Sequence, residues 1–167
     1  LQGALKELEK ELEPTMVVVP EAVLLNKQDC NAVQQQMLAQ DAPPVLQPTE
    51  LDRVDMVGRM GARIADQCLK DIAPKMLDAA ACAALNDKLA ALWPALRREL
   101  AAFIIPVAEM TRLLRAAGGP TTAAELGVPI DFYHEAVVHC REMRNRYSFL
   151  DLAADSGQLA GFAEGEH

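Results

Sequence analysis

The chain has 167 residues, half of them hydrophobic but only 4% aromatic, and its 24 acids against 16 bases leave a net charge of −8. That balance excludes non-specific nucleic-acid binding, which needs a basic surface to displace counterions, and it disfavours anionic membrane surfaces. No run of apolar residues is long enough to span a bilayer, and the charged start "LQGALKELEKELEP" is not a signal peptide.

One domain is expected over residues 1–167, with a core of Leu, Ala, Val, Ile and Met. Ala and Leu favour helix, and β-branched runs are rare, so the composition predicts an all-α fold. Leu1, Leu5, Leu8 and Leu12 recur at helical spacing until Pro14. Residues 14–20, with "TMVVV" at Thr15 to Val19, read as an extended linker or a short strand. Glu21 to Gln40 forms the next helix candidate, with Pro20 suited to its first turn. Residues 41–48, "DAPPVLQP", hold three prolines and must be a loop.

Thr49 is the expected N-cap of a third helix running to about Ile72, with Leu51, Val54, Val57, Met60, Ile64, Cys68 and Leu69 as its buried stripe. Asp78 should cap the next, which leads to Trp93. Pro94 breaks or kinks the chain, and a helix from Ala95 to about Ala117 follows, bent at Pro106. Gly118 to Pro120 closes it with a left-handed cap. Thr122 and Glu125 have capping-box spacing for a short helix ending at Gly127. Asp131 is the expected N-cap of a last long helix through Cys140 to Tyr147, continuing toward Gly157. Residues 158–167 read as a frayed tail. The whole is a bundle-like all-helical domain of about six helices with no substantial sheet.

Chemistry-bearing groups are few. The four cysteines have no metal-site spacing and read as reduced thiols on helix faces, which points to the cytoplasm. His134 and His139 are five apart, about 140° around a helix, so they share no face. Glu135 and His139 do share one and read as a surface pair. Neither a glycine-rich dinucleotide loop nor a Walker loop is present. A phosphate would have only a helix N-terminus at Thr121 and Thr122 to approach.

The densest cluster is "REMRNRYSFLDLAADSG", Arg141 to Gly157. On a continuous helix Arg141, Arg144, Asn145 and Ser148 would form one polar side. Arg144, Arg146, Tyr147 and Asp151 are the candidate site residues. They form either a polar clamp that fixes the last helix, with Asp151 accepting from Tyr147 or an arginine, or a grip for a phosphate or carboxylate, whose shape matches arginine's fork.

"LLRAAGGPTTAAELGV" followed by "FYHEAVVHCREMRNRYSFLDLAADSG" resembles the C-terminal tail of sn-glycerol-1-phosphate dehydrogenases, in the superfamily of iron-containing alcohol dehydrogenases and glycerol dehydrogenases. The resemblance lies in an "AG-x-PT…ELG" loop at Ala117 to Gly127 and an "R-x-R-Y-[ST]-x-L-D" ending at Arg144 to Asp151, with "WPALRREL" at Trp93 to Leu100 fitting the helix before. It implies NAD(P) on a separate nucleotide-binding domain, and a zinc or iron ion that polarises the substrate hydroxyl. No histidine precedes His134, so no metal ligand carries over, and no cofactor is expected on this chain alone. The resemblance thus implies the helical C-terminal portion of a polyol-phosphate dehydrogenase, inactive by itself. The alternative is a free-standing helical interaction or dimerisation module. Either would meet its partner, a nucleotide-binding domain or a second protomer, through an apolar helical surface.

Overall fold

The structure, a computed structural model, describes residues 27–164, with side chains from Val33 onward. The expected first helix and the 14–20 segment lie outside the described residues. Within them the fold is all-α, with no strand. In chain order the helices are α1 (Lys27–Ala39), α2 (Arg53–Met60), α3 (Ala62–Ile72), α4 (Ala79–Ala101), α5 (Val107–Ala116), α6 (Ala123–Leu126), α7 (Ile130–His139), α8 (Phe149–Asp155) and α9 (Leu159–Glu164). Two 3₁₀ turns, Ala73–Lys75 and Cys140–Met143, follow α3 and α7.

More and shorter helices stand where about six were expected, and each extra break has a local cause. The Thr49–Ile72 expectation is corrected at both its start and its middle. Asp52, not Thr49, caps α2, its carboxylate accepting from Val54 and Asp55 N–H. Gly61 then divides α2 from α3 at φ 80° and ψ 153°, a conformation that a side chain would strain. Pro94 does not break its helix: α4 runs through it to Ala101. The chain turns at Ala102 to Ile105 instead, and Pro106 caps α5 rather than bending it.

The last long helix is also two. Pro129, not Asp131, precedes the first turn of α7, where its fixed φ suits entry to a helix. The α-helix stops at His139, and the polar side expected across Arg141, Arg144, Asn145 and Ser148 does not exist as one face. The expected frayed tail is corrected as well: residues 159–164 form α9, which buries Leu159 and Ala163. Asp78, Thr122 and Gly157 behave as expected. Asp78 accepts from Ala81 N–H, Thr122 accepts from Glu125 N–H, and Gly157 turns left-handed so that Gln158 N–H closes on Ala153 O at 2.7 Å.

The main core gathers Val33, Met37 and Leu38 of α1, Leu89 and Trp93 of α4, Tyr133 and Val137 of α7, Leu150 and Ala153 of α8, and Leu159 of α9. Trp93 is fully buried at 0% exposure, and its indole N–H donates to Gln40 O at 3.0 Å, so its one polar atom is satisfied. Arg97, one turn further on, donates to Leu38 O at 2.7 Å and pairs with Asp41 at 3.0 Å. A guanidinium there takes up the orphan carbonyl at the end of α1 and suits its negative dipole end. The proline-rich loop is held by Asn86, which accepts from Leu46 N–H and donates to Leu46 O, as a neighbouring strand would. A second, smaller core, Met56, Ala65 and Cys68 with Leu51, Val57, Met60 and Leu69 packed on it, is built from the α2–α3 hairpin and the residue before Asp52, while Val54 and Ile64 of the expected buried stripe are exposed.

Candidate functional site

The densest polar cluster lies where the two cores meet, and its parts come from four separated stretches. Arg141 stands on the second 3₁₀ turn, Asp151 and Asp155 one helical turn apart on α8, Lys75 at the end of the first 3₁₀ turn, and Thr49 on the loop before α2. All four charged groups are buried, Asp151 to 1% exposure. Lys75 Nζ meets Asp151 Oδ1 at 2.8 Å and donates to Arg141 O at 2.7 Å. Arg141 spans both carboxylates at 3.4 Å and reaches Thr49 Oγ1 at 3.4 Å. Asp155 accepts from Thr49 Oγ1 and from the Tyr147 hydroxyl, each at 2.8 Å. Asp151 accepts on its other oxygen from Ser148 N–H at 2.8 Å and Ser148 Oγ at 2.9 Å, completing a capping box that starts α8.

Two cations thus face two carboxylates, and each carboxylate oxygen has at least one donor. Buried charges are tolerated only on such terms, because desolvation otherwise outweighs their attraction. The cluster's own carboxylates take up both cations, and the arrangement ties the two 3₁₀ turns, α8 and the Thr49 loop together. Burial, and then the hydrogen bond to Asp155, hold the Tyr147 phenol well above its ordinary range.

Of the four candidate residues, Tyr147 and Asp151 enter this cluster, but Tyr147 serves Asp155 while Arg141 serves Asp151. Arg144 and Arg146 lie on the segment between the second 3₁₀ turn and α8, Arg144 half-buried and Arg146 exposed. Arg141, Asp155, Lys75 and Thr49 were not among the candidates. Asp155 follows Asp151 at i, i+4, a spacing that places two acids on one helix face and signals a shared partner. Lys75 carries no such local signal, being 66 residues from its carbonyl acceptor.

A second chain of charges adjoins the first. Buried Glu142 meets His139 Nδ1 at 2.7 Å with one oxygen and Arg59 of α2 at 2.9 Å with the other. His139 Nε2 lies 3.3 Å from Glu135, so the expected surface pair is present and is continued inward by Glu142. Burial opposes the charge on Arg59, but its bonds to Glu142 and Asp55 outweigh that and raise its pKa. Beside it opens a cleft of about 260 Å³. At Thr121 and Thr122 the approach expected for a phosphate is taken by Glu125, which accepts from Thr121 N–H and is held below the usual carboxylate range chiefly by that bond.

Among the described residues no three His, Cys, Asp or Glu side chains are grouped to hold a metal ion, so the zinc or iron implied by the resemblance has no ligand set there. No helix among them is long and apolar enough to cross a membrane. No protein-family model matches the chain, and it matches neither a curated protein nor a solved structure.

Proposed function

We propose that this chain is a helical docking unit, whose C-terminal elements are locked by the ion cluster and which works by presenting an apolar surface to another folded unit. The observation that carries this reading is the segment from Phe103 to Ala116. Phe103 stands 83% exposed on the turn before α5, Ile105 and Leu113 are exposed, and no residue of α5 is buried despite its amphipathic pattern. Large exposed apolar side chains grouped in this way mark contact surfaces.

In the reading that the motifs favour, the unit is the helical C-terminal portion of a metal-dependent, NAD(P)-linked sn-glycerol-1-phosphate dehydrogenase-like protein. Its surface would meet the nucleotide-binding domain, and NAD(P) and the metal would belong to the assembled protein. Supporting this, residues of both motifs have structural roles in the fold. Thr122 and Gly127 cap α6, and Tyr147 and Asp151 enter the buried cluster. The second reading, a free-standing interaction or dimerisation module, draws on the same exposed segment. Among the described residues the buried thiols of Cys68, Cys82 and Cys140 form no disulfide, which suits a reducing compartment such as the cytoplasm.

Two measurements test this account. The isolated chain is expected to show no nicotinamide-dependent oxidation of glycerol phosphate with zinc added; turnover would overturn the view that it needs a partner for chemistry. Light scattering on the isolated chain is expected to show concentration-dependent self-association that Phe103→Ser abolishes. A strictly monomeric chain would remove the dimerisation reading and leave the docking surface to a different domain.

A further inference from the structure

We propose that the α2–α3 hairpin is a latched gate over the cleft at its seam with the rest of the fold, able to open as a unit while the core stays folded. Three observations carry this. First, the hairpin has its own small core of Met56, Ala65 and Cys68, separate from the main one, so opening need not break the main core. Gly61 lets α2 fold back on α3, and Arg53 ties them through Asp66 at 2.8 Å. Second, the two ends of the hairpin are fixed. Thr49 and Lys75 are both bound into the buried ion cluster, so motion is confined to the segment between them. Third, among the described residues the hairpin's middle is tied to the body by the ion pair of Arg59 with Glu142 at 2.9 Å. The helices otherwise reach the body mainly where α3 packs on the second 3₁₀ turn.

The cleft lies along that seam. Glu50, Asp52, Asp55 and Arg59 line it from the hairpin side, and His139 and Glu142 from the body. Release of Arg59 would widen the cleft and turn Glu142 from a buried carboxylate into one facing solvent. His139 would then be its remaining partner, at 2.7 Å, and Arg59 would keep Asp55 at 2.8 Å, so neither charge would be stranded. A latch whose two halves each have a second partner can open without leaving a bare buried charge.

Native-state hydrogen exchange followed by mass spectrometry tests this on the intact chain. In the wild type, amides of α2 and the first turns of α3 are expected to exchange on the order of tenfold faster than those of α4 and α8. Arg59→Gln should speed the hairpin by a further factor on the order of ten and leave α4, α7 and α8 unchanged. Glu142→Gln is expected to act in the same direction. Hairpin amides protected as strongly as α4 in the wild type would overturn the proposal without any variant. So would an Arg59→Gln protein in which all helices quicken by one common factor.

Discussion

Tyr147 is the residue through which the cluster can be read by titration. Its hydroxyl donates to Asp155 at 2.8 Å, and burial adds to that bond in favouring the neutral phenol. The folded chain therefore holds this proton more tightly than the unfolded chain, whose value is near 10.0. The contribution to stability is complete below about pH 10 and is lost as pH rises above it. Tyr147→Phe is expected to cost about 1–1.5 kcal/mol at neutral pH, the low end for a bond to a charged group because the side chain is 37% exposed. It should also flatten the alkaline fall in stability, which urea unfolding at neutral pH and at about pH 11 measures. Parallel curves for the two proteins would show that Tyr147 does not contribute in this way. Burial likewise raises the thiol pKa of Cys68 and Cys82, which leaves less of the reactive thiolate. Brief alkylation of the folded chain should leave both unmodified by mass spectrometry, with modification only after denaturation; prompt labelling of either would contradict their burial.

Elements were legible from the sequence where their signals are local. Asp78, Thr122 and Gly157 each bond within a few residues of themselves, so their types and spacing sufficed. The bonds at the end of the second 3₁₀ turn were not legible, because one of them is distant. Arg141 O accepts from Arg144 N–H at 3.4 Å, which closes that turn, and also from Lys75 Nζ at 2.7 Å, 66 residues away. Asp151 then takes Ser148 N–H and starts α8 afresh. In the candidate site, Tyr147 and Asp151 were found because they sit in one short stretch, while Lys75 and Thr49 arrive through tertiary packing. Pro94 misled in the opposite direction. Proline disfavours a helix interior but does not forbid it; Pro94 has no N–H to offer Ala90 O, and both residues lie on the exposed face of α4. Pro94→Ala restores one helical bond and is expected to raise stability by up to about 3 kcal/mol. Thermal unfolding would show this as a higher midpoint; an unchanged or lower one would mean that the proline's geometry is needed by the packing around Trp93.

At the scale of the whole molecule, two apolar cores are joined by charge rather than by a continuous hydrophobic layer. That arrangement is specific but exposed to single failures, because removing one member leaves its partner charged and buried. Exposed apolar side chains occur along much of the described chain, and Phe103, Ile105 and Leu113 fall within one short segment. The joint holds the chain together, and the proposed docking surface faces outward from it. Equilibrium urea unfolding of Asp151→Ala tests the joint most directly, since Asp151 meets Lys75, Arg141 and Ser148 at once. A loss of about 3–5 kcal/mol is expected, as for any buried pair deprived of one partner. A variant within about 1 kcal/mol of the wild type, the range of an exposed pair, would contradict it.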